Sequence, residues 1–338
     1  MNFDFTDDQQ AIKRTAKEFL ASRYKAEKVR ELAESGTYDD ALWSEISELG
    51  WPGIFIPEEY AGQGLGVVEL VIVMEELGYA LAPSPFFSNA AAGLAILHGG
   101  SDEQKQRWLP GIASGEQRGT VGVVANGEAS LVPDADSAAV IVLVDGDSAT
   151  LVDGSDAEIE QRATIDSTRR FSSVRADGGE PLAGDFSAGI DRAETALAAE
   201  LVGLAQRVME MAVEYAKDRK QFDRPIGSYQ AVSHRCAQML LEVESSRSAA
   251  YYAGWASDYE PESAALAASM AKAYAADAGW NVTASALQVH GGIGFTWEHD
   301  LHFFLKRART DGHLLGTPRQ HRERVAELAG LSRTPATA

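Results

Sequence analysis

Apolar positions recur at helical spacing through the first third of the chain. Ile12, Ala16, Phe19 and Leu20 form one stripe, preceded by Thr6 and Gln9 at the spacing of a capping box. Leu42, Trp43, Ile46 and Leu49 form another, which stops at the breaker Gly50-Trp51-Pro52-Gly53. Val67 to Leu81 is apolar nearly all round, the pattern of a buried helix, and follows the glycine-punctuated loop Gly62-Gln63-Gly64-Leu65-Gly66. Residues 1–112 are expected to form a helical domain.

The period then shortens. Thr120 to Val124, Ala138 to Val144 and Ala149 to Val152 are β-prone runs, the last two separated by the hairpin signal Asp145-Gly146-Asp147-Ser148. A small β domain is expected over 113–189. From Asp191 the helical period returns: Leu197, Leu201, Leu204, Val208, Met211 and Tyr215 make the stripe of a long bundle helix. Val232, Cys236, Met239, Leu240 and Val243 give a second, and an Ala-rich stretch from Ala264 to Leu287 a third, so 190–330 reads as a helical bundle with a tail at 331–338. The fold class is mainly α with a small β domain.

Composition narrows the functions. The 338 residues carry 30 basic and 50 acidic side chains, a net charge of −20, which argues against nucleic acid because phosphate binding depends on clustered cations. No run is long and apolar enough for a membrane helix, and the start, Met1-Asn2-Phe3-Asp4-Phe5, lacks the basic-then-apolar order of a signal peptide. A lone Cys236 allows no intrachain disulfide and fits a reducing compartment, so a soluble, cytoplasmic protein is expected. Its place on an apolar stripe makes it packing rather than nucleophile. His299 and His302 lie three apart, but no third close ligand accompanies them, and no metal is expected.

Two segments differ from packing. Asp218-Arg219-Lys220-Gln221-Phe222-Asp223-Arg224-Pro225-Ile226-Gly227 is a basic turn between bundle helices, able to present guanidinium groups to phosphate. Gln288-Val289-His290-Gly291-Gly292-Ile293-Gly294 ends the Ala-rich helix on glycines that expose backbone amides. A plain turn and a helix C-cap account for the same patterns equally well.

At these residues the chain resembles the acyl-CoA dehydrogenase family. The resemblance spans nearly the whole sequence: Ile56-Pro57-Glu58-Glu59-Tyr60-Ala61-Gly62-Gln63-Gly64-Leu65-Gly66, Met74-Glu75-Glu76-Leu77-Gly78, Arg107 to Glu116, the Arg219 turn, and the Gln288 segment through Trp297-Glu298-His299. It implies the family fold of helical domain, β domain and four-helix bundle. It also implies FAD-dependent α,β-dehydrogenation of an acyl-CoA substrate, with electron-transferring flavoprotein reoxidising the flavin. The roles it carries over are contacts with the FAD of a neighbouring subunit, made by Arg219, Gln221, Phe222, Gln288, Gly291 and Gly292.

The resemblance breaks at the base. Where the family has Glu-Gly-Thr, this chain has Leu315-Gly316-Thr317, and the alternative base position of some members falls on Ala193. Glu194 lies about 100° round the helix from there, and Glu200 about 10 Å along it. Both are weak catalytic candidates, more in keeping with a surface or helix-start charge, because a base must reach its proton. The Thr-Glu-Pro-x-x-Gly-Ser-Asp run by which the family holds its own flavin is also missing. The expected role is the subunit of a heterotetramer that completes a FAD site beside a second acyl-CoA dehydrogenase subunit without supplying the base. A self-sufficient homo-oligomeric enzyme and a flavin-free scaffold are the alternatives.

Overall fold

A computed structural model describes residues 4–331; Met1-Asn2-Phe3 and nearly all of the C-terminal tail lie outside the described residues. Helices α1 (Asp7–Arg23), α2 (Ala26–Ser35), α3 (Asp40–Glu48), α4 (Val67–Ala80), α5 (Phe86–Gly99) and α6 (Asp102–Ser114) come first. The capping box opens α1: the Gln9 amide donates to Thr6 Oγ1 at 3.2 Å and the Thr6 amide to Gln9 Oε1 at 3.0 Å. Buried on all sides as its pattern predicts, α4 takes even Glu75 and Glu76 into the interior.

Strands β1 (Gly119–Val123), β2 (Ala129–Pro133), β3 (Val140–Asp145), β4 (Ser148–Asp153), β5 (Glu158–Arg162), β6 (Phe171–Arg175) and β7 (Glu180–Pro181) form two small sheets, ordered β1-β3-β4-β7 and β2-β6-β5. The predicted hairpin is present, with Asp145 facing Ser148 across its turn. Ile141, Leu143, Val132 and Val174 meet in a core between the sheets.

The remainder is α7 (Phe186–Asp218), a short hairpin of β8 (Lys220–Gln221) and β9 (Arg224–Pro225), then α8 (Gln230–Tyr259), α9 (Pro261–His290), α10 (Leu301–Asp311) and α11 (Pro318–Leu328). Helix α7 is the axis of the molecule, packing on α4, α5, α8, α9 and α10. Glycines bring it onto α4 at backbone distance. A Cβ built on Gly203 would lie 1.8 Å from the Glu75 carbonyl oxygen, and one on Gly78 2.0 Å from that of Glu200.

On α8 the predicted stripe holds for Met239 and Val243, and Cys236 packs against the core. Leu240 departs from it: it is exposed beside Leu241, because α8 buries only a narrow face and leaves the rest outside. Among the described residues no helix is long and apolar enough to cross a membrane.

Candidate active site

The two segments singled out in the sequence meet at one end of the bundle. Tyr215, one turn before Arg219, stacks on His290 with ring centroids 4.6 Å apart and planes 21° apart. Burial lowers the pKa of His290, whose Nδ1 lies 2.8 Å from the Ala286 carbonyl oxygen. The stack ties the last turn of α7 to the last turn of α9.

Arg219 caps α7 through its amide, 2.9 Å from the Tyr215 carbonyl, and its side chain makes no ion pair among the described residues. The hairpin turns on Phe222 and Asp223, both in the left-handed region with φ of 52° and 64°. That geometry holds the Phe222 ring 88% exposed. Gln221 and Gln288 are also exposed. Gly291 has φ 63°, and a Cβ on Gly291 or Gly292 would meet nothing within 4 Å. Positive φ explains the first glycine, whereas nothing inside the chain requires the second. Its open backbone faces outward.

Leu315 and Ala193, the two positions at which the resemblance would place a base, carry no carboxylate. Leu315 is half-buried with φ 56°, and Ala193 is fully buried on α7. Lys272 lies behind the Leu315 loop, its Nζ donating to the Gly312 and Gly316 carbonyl oxygens at 3.2 and 3.3 Å. Glu194 points to this side, 3.4 Å from Arg324 Nη1 and 3.7 Å from His321 Nδ1. Burial, then the charge of Asp191, raises the Glu194 pKa, while burial lowers that of Lys272.

Glu200 lies on a different face, between two arginines. Arg169 Nη2 donates to both of its oxygens at 2.9 Å and Arg307 Nη1 to one at 2.6 Å. Arg307 also reaches Asp166 at 2.9 Å and the Thr168 carbonyl at 2.6 Å. Burial pushes Asp311, 3.5 Å from Arg169 Nε, up to about 8. The cavity at this cluster, lined by Met74, Leu77, Phe86, Phe87, Arg169 and Glu200 among others, holds about 10 Å³.

The expectation of surface charges at Glu194 and Glu200 is therefore corrected. They are 5% and 4% exposed, because α7 runs through the centre of the fold and offers no free face there. Sequence reading missed Arg169, Arg307, Asp166 and Asp311. They come together across 141 residues of separation between Asp166 and Arg307, and no local pattern marks them.

Residues 6–116 match the acyl-CoA dehydrogenase N-terminal domain, and residues 186–329 match the acyl-CoA dehydrogenase C-terminal domain. Acyl-CoA dehydrogenase IpdE2 of Mycolicibacterium smegmatis is 35% identical over 322 residues, covering 95% of this chain and 98% of that protein. The protein of the same name from Mycobacterium tuberculosis is 35% identical over 317 residues, covering 93% and 95%. Among solved structures, a variant of the Tcur3481-Tcur3483 steroid ACAD superposes with TM-score 0.87 at 27% identity, covering 96% of this chain and 98% of that one. A chain of the ChsE4-ChsE5 complex from Mycobacterium tuberculosis superposes with TM-score 0.89 at 25% identity, covering 99% and 100%. Likeness this deep, over almost the whole length and on the same succession of helices, sheets and bundle, makes this chain a member of the acyl-CoA dehydrogenase family, oxidoreductases acting on acyl-CoA.

Proposed function

We propose that this chain is the subunit of a heterotetrameric acyl-CoA dehydrogenase that completes a FAD site at a shared interface and leaves the base to its partner. One contrast carries the reading. The outward end of the bundle keeps an unpaired Arg219 and an unencumbered Gly292, while inside the chain Leu315 and Ala193 stand at the base positions. The two candidate carboxylates are already engaged, Glu200 between the buried Arg169 and Arg307 and Glu194 3.4 Å from Arg324. Glu200, bonded to two guanidiniums, has its lone pairs occupied and is a poor proton acceptor, while Glu194 is turned to Arg324 and His321.

The contact residues fit a diphosphate. Arg219 offers a fork of donors, Gln221 and Gln288 are exposed amides, Gly291 and Gly292 leave backbone open, and Phe222 offers an exposed ring. FAD, when bound, supplies the hydride acceptor for the β-hydrogen of the acyl thioester. This chain's own task is to orient that cofactor from across the interface. The exposed Leu241, Tyr259, Met270, Tyr274 and Trp280 on α8 and α9 give a partner subunit an apolar surface.

The ChsE4-ChsE5 relative is a complex of two chains, which supports a second acyl-CoA dehydrogenase subunit here. The steroid ACAD relative supports a steroid-derived acyl-CoA substrate. Electron-transferring flavoprotein is the proposed electron acceptor and the cytoplasm the proposed location.

Expression alone and with the product of an adjacent acyl-CoA dehydrogenase gene, followed by measurement of bound flavin and thioester oxidation, tests the assignment. Flavin and turnover are expected only in the co-expressed complex. Full occupancy and turnover by the lone chain would establish the self-sufficient enzyme instead, and a stable complex with neither would establish the scaffold.

A further inference from the structure

A cavity of about 370 Å³ lies between α1, α2, α4, α7 and α10, and shares no lining residue with the cavity at the Arg169–Glu200 cluster. It is within the size range of small-molecule sites. Its walls are mainly apolar, including Leu20, Val29, Leu81, Met211 and Phe304. Nothing in the proposed flavin contacts uses it.

Its polar groups are unevenly matched. Lys17, Lys25 and Arg207 line it, and none of the three makes an ion pair among the described residues. Of the acids that line it, Asp300 is already paired with Arg30. That leaves Glu76, which accepts no hydrogen bond among the described residues and makes its one ion pair there with Lys13, at 3.8 Å. Glu76 is 6% exposed, and burial raises its pKa. The groups facing it are Lys13 and Lys17 of α1, Glu75 beside it and Arg247 of α8. Tyr79 is occupied, its hydroxyl donating to Glu210 at 2.5 Å. In a chain of net charge −20, three cations that make no ion pair among the described residues, Lys17 in the field of Glu76 and Arg207 over the Tyr79 ring, rim an apolar chamber with charge that suits an anion.

We propose that this cavity is a ligand site for an amphipathic anion, its apolar body among Leu20, Val29, Leu81, Met211 and Phe304 and its charged head against Lys17, Lys25 and Arg207. A hydroxyl or N–H on that body would meet Glu76. Two sources share this chemistry, a free carboxylic acid and an acyl thioester of coenzyme A. Either makes the cavity a ligand site apart from the proposed flavin contacts.

Titration calorimetry on the full-length chain, with its partner if one co-purifies, tests this with decanoate, decanoyl-CoA, uncharged decanol and inorganic phosphate. Decanoate or decanoyl-CoA should bind, decanol and phosphate at least tenfold more weakly. Which of the two binds identifies the source. Lys25→Glu, at an exposed position where folding is not at stake, should weaken binding at least tenfold. Met211→Trp should abolish it by filling the chamber. Binding of neither decanoate nor decanoyl-CoA, binding of decanol as tight as theirs, or binding indifferent to both variants would overturn the proposal. The measurement reads binding and not turnover, so its outcome is independent of the heterotetramer assignment.

Discussion

The rings of Tyr215 and His290 stack 4.6 Å apart, and through them the Arg219 turn and the Gly291-Gly292 turn share one end of the molecule. Neither turn alone presents both a cation and an open backbone. Together they place an exposed guanidinium and an open backbone turn on one surface.

Arg219→Ala should therefore lower flavin occupancy of the purified complex by about 10- to 100-fold, the loss of one charge-assisted hydrogen bond of about 1.5–3 kcal/mol. Folding stability should shift by less than about 0.5 kcal/mol, because the side chain is exposed and unpaired. Visible flavin absorbance against denaturant midpoint reads the two effects apart. Undiminished flavin in the variant would rule out the contact.

Glu200→Gln should act on stability rather than on chemistry. The substitution removes the charge that Arg169 and Arg307 share, leaving two buried guanidiniums short of a counter-ion at a cost of about 3–5 kcal/mol. Turnover per folded complex should be unchanged. A fall in turnover of a hundredfold or more in folded complex would instead make Glu200 the base.

Gly203→Ala tests the crossing of α4 and α7. Its methyl group would start 1.8 Å from the Glu75 carbonyl oxygen, which cannot yield without moving a helix. A loss of about 3 kcal/mol, at the upper end of ordinary overpacking, is expected in urea unfolding. A variant as stable as the parent would show that the helices are less close than described.

His321 gives a pH dependence with a definite sign. Burial, with the charges of Lys272 and Arg324, lowers its pKa from 6.5 to about 4. Below pH 6.5 the unfolded chain takes up a proton that the folded chain refuses, so this group's stability is complete above 6.5 and is lost as pH falls towards 4, by at most about 1.4 kcal/mol per unit. Glu194, 3.7 Å away, contributes the opposite slope in part of that window because its pKa is raised. The difference between parent and His321→Gln isolates the histidine. The variant should lose less stability on acidification, and parallel stability curves would show that His321 does not titrate differently in the two states.

The succession of helix, sheet and bundle was legible in the sequence because hydrophobic period is local: each stripe states which face its own element must bury. The Thr6–Gln9 cap, the Asp145–Ser148 hairpin and the glycines ending α9 are likewise matters of a few neighbouring residues. Leu315 and Ala193 were legible too, since a missing carboxylate needs no structure to be noticed.

Burial of charge was not legible. Glu194 and Glu200 read as surface acids because the cations that neutralise them, Arg324 for one and Arg169 and Arg307 for the other, come from distant segments. The apolar chamber beneath Lys17, Lys25 and Arg207 was equally hidden, since its walls come from α1, α2, α4, α7 and α10. By itself the sequence determined the elements, their order and the absence of a carboxylate at Leu315 and Ala193. The tertiary structure alone decided which charges face one another in the interior and where space remains, because desolvation and packing depend on contacts that local spacing does not encode.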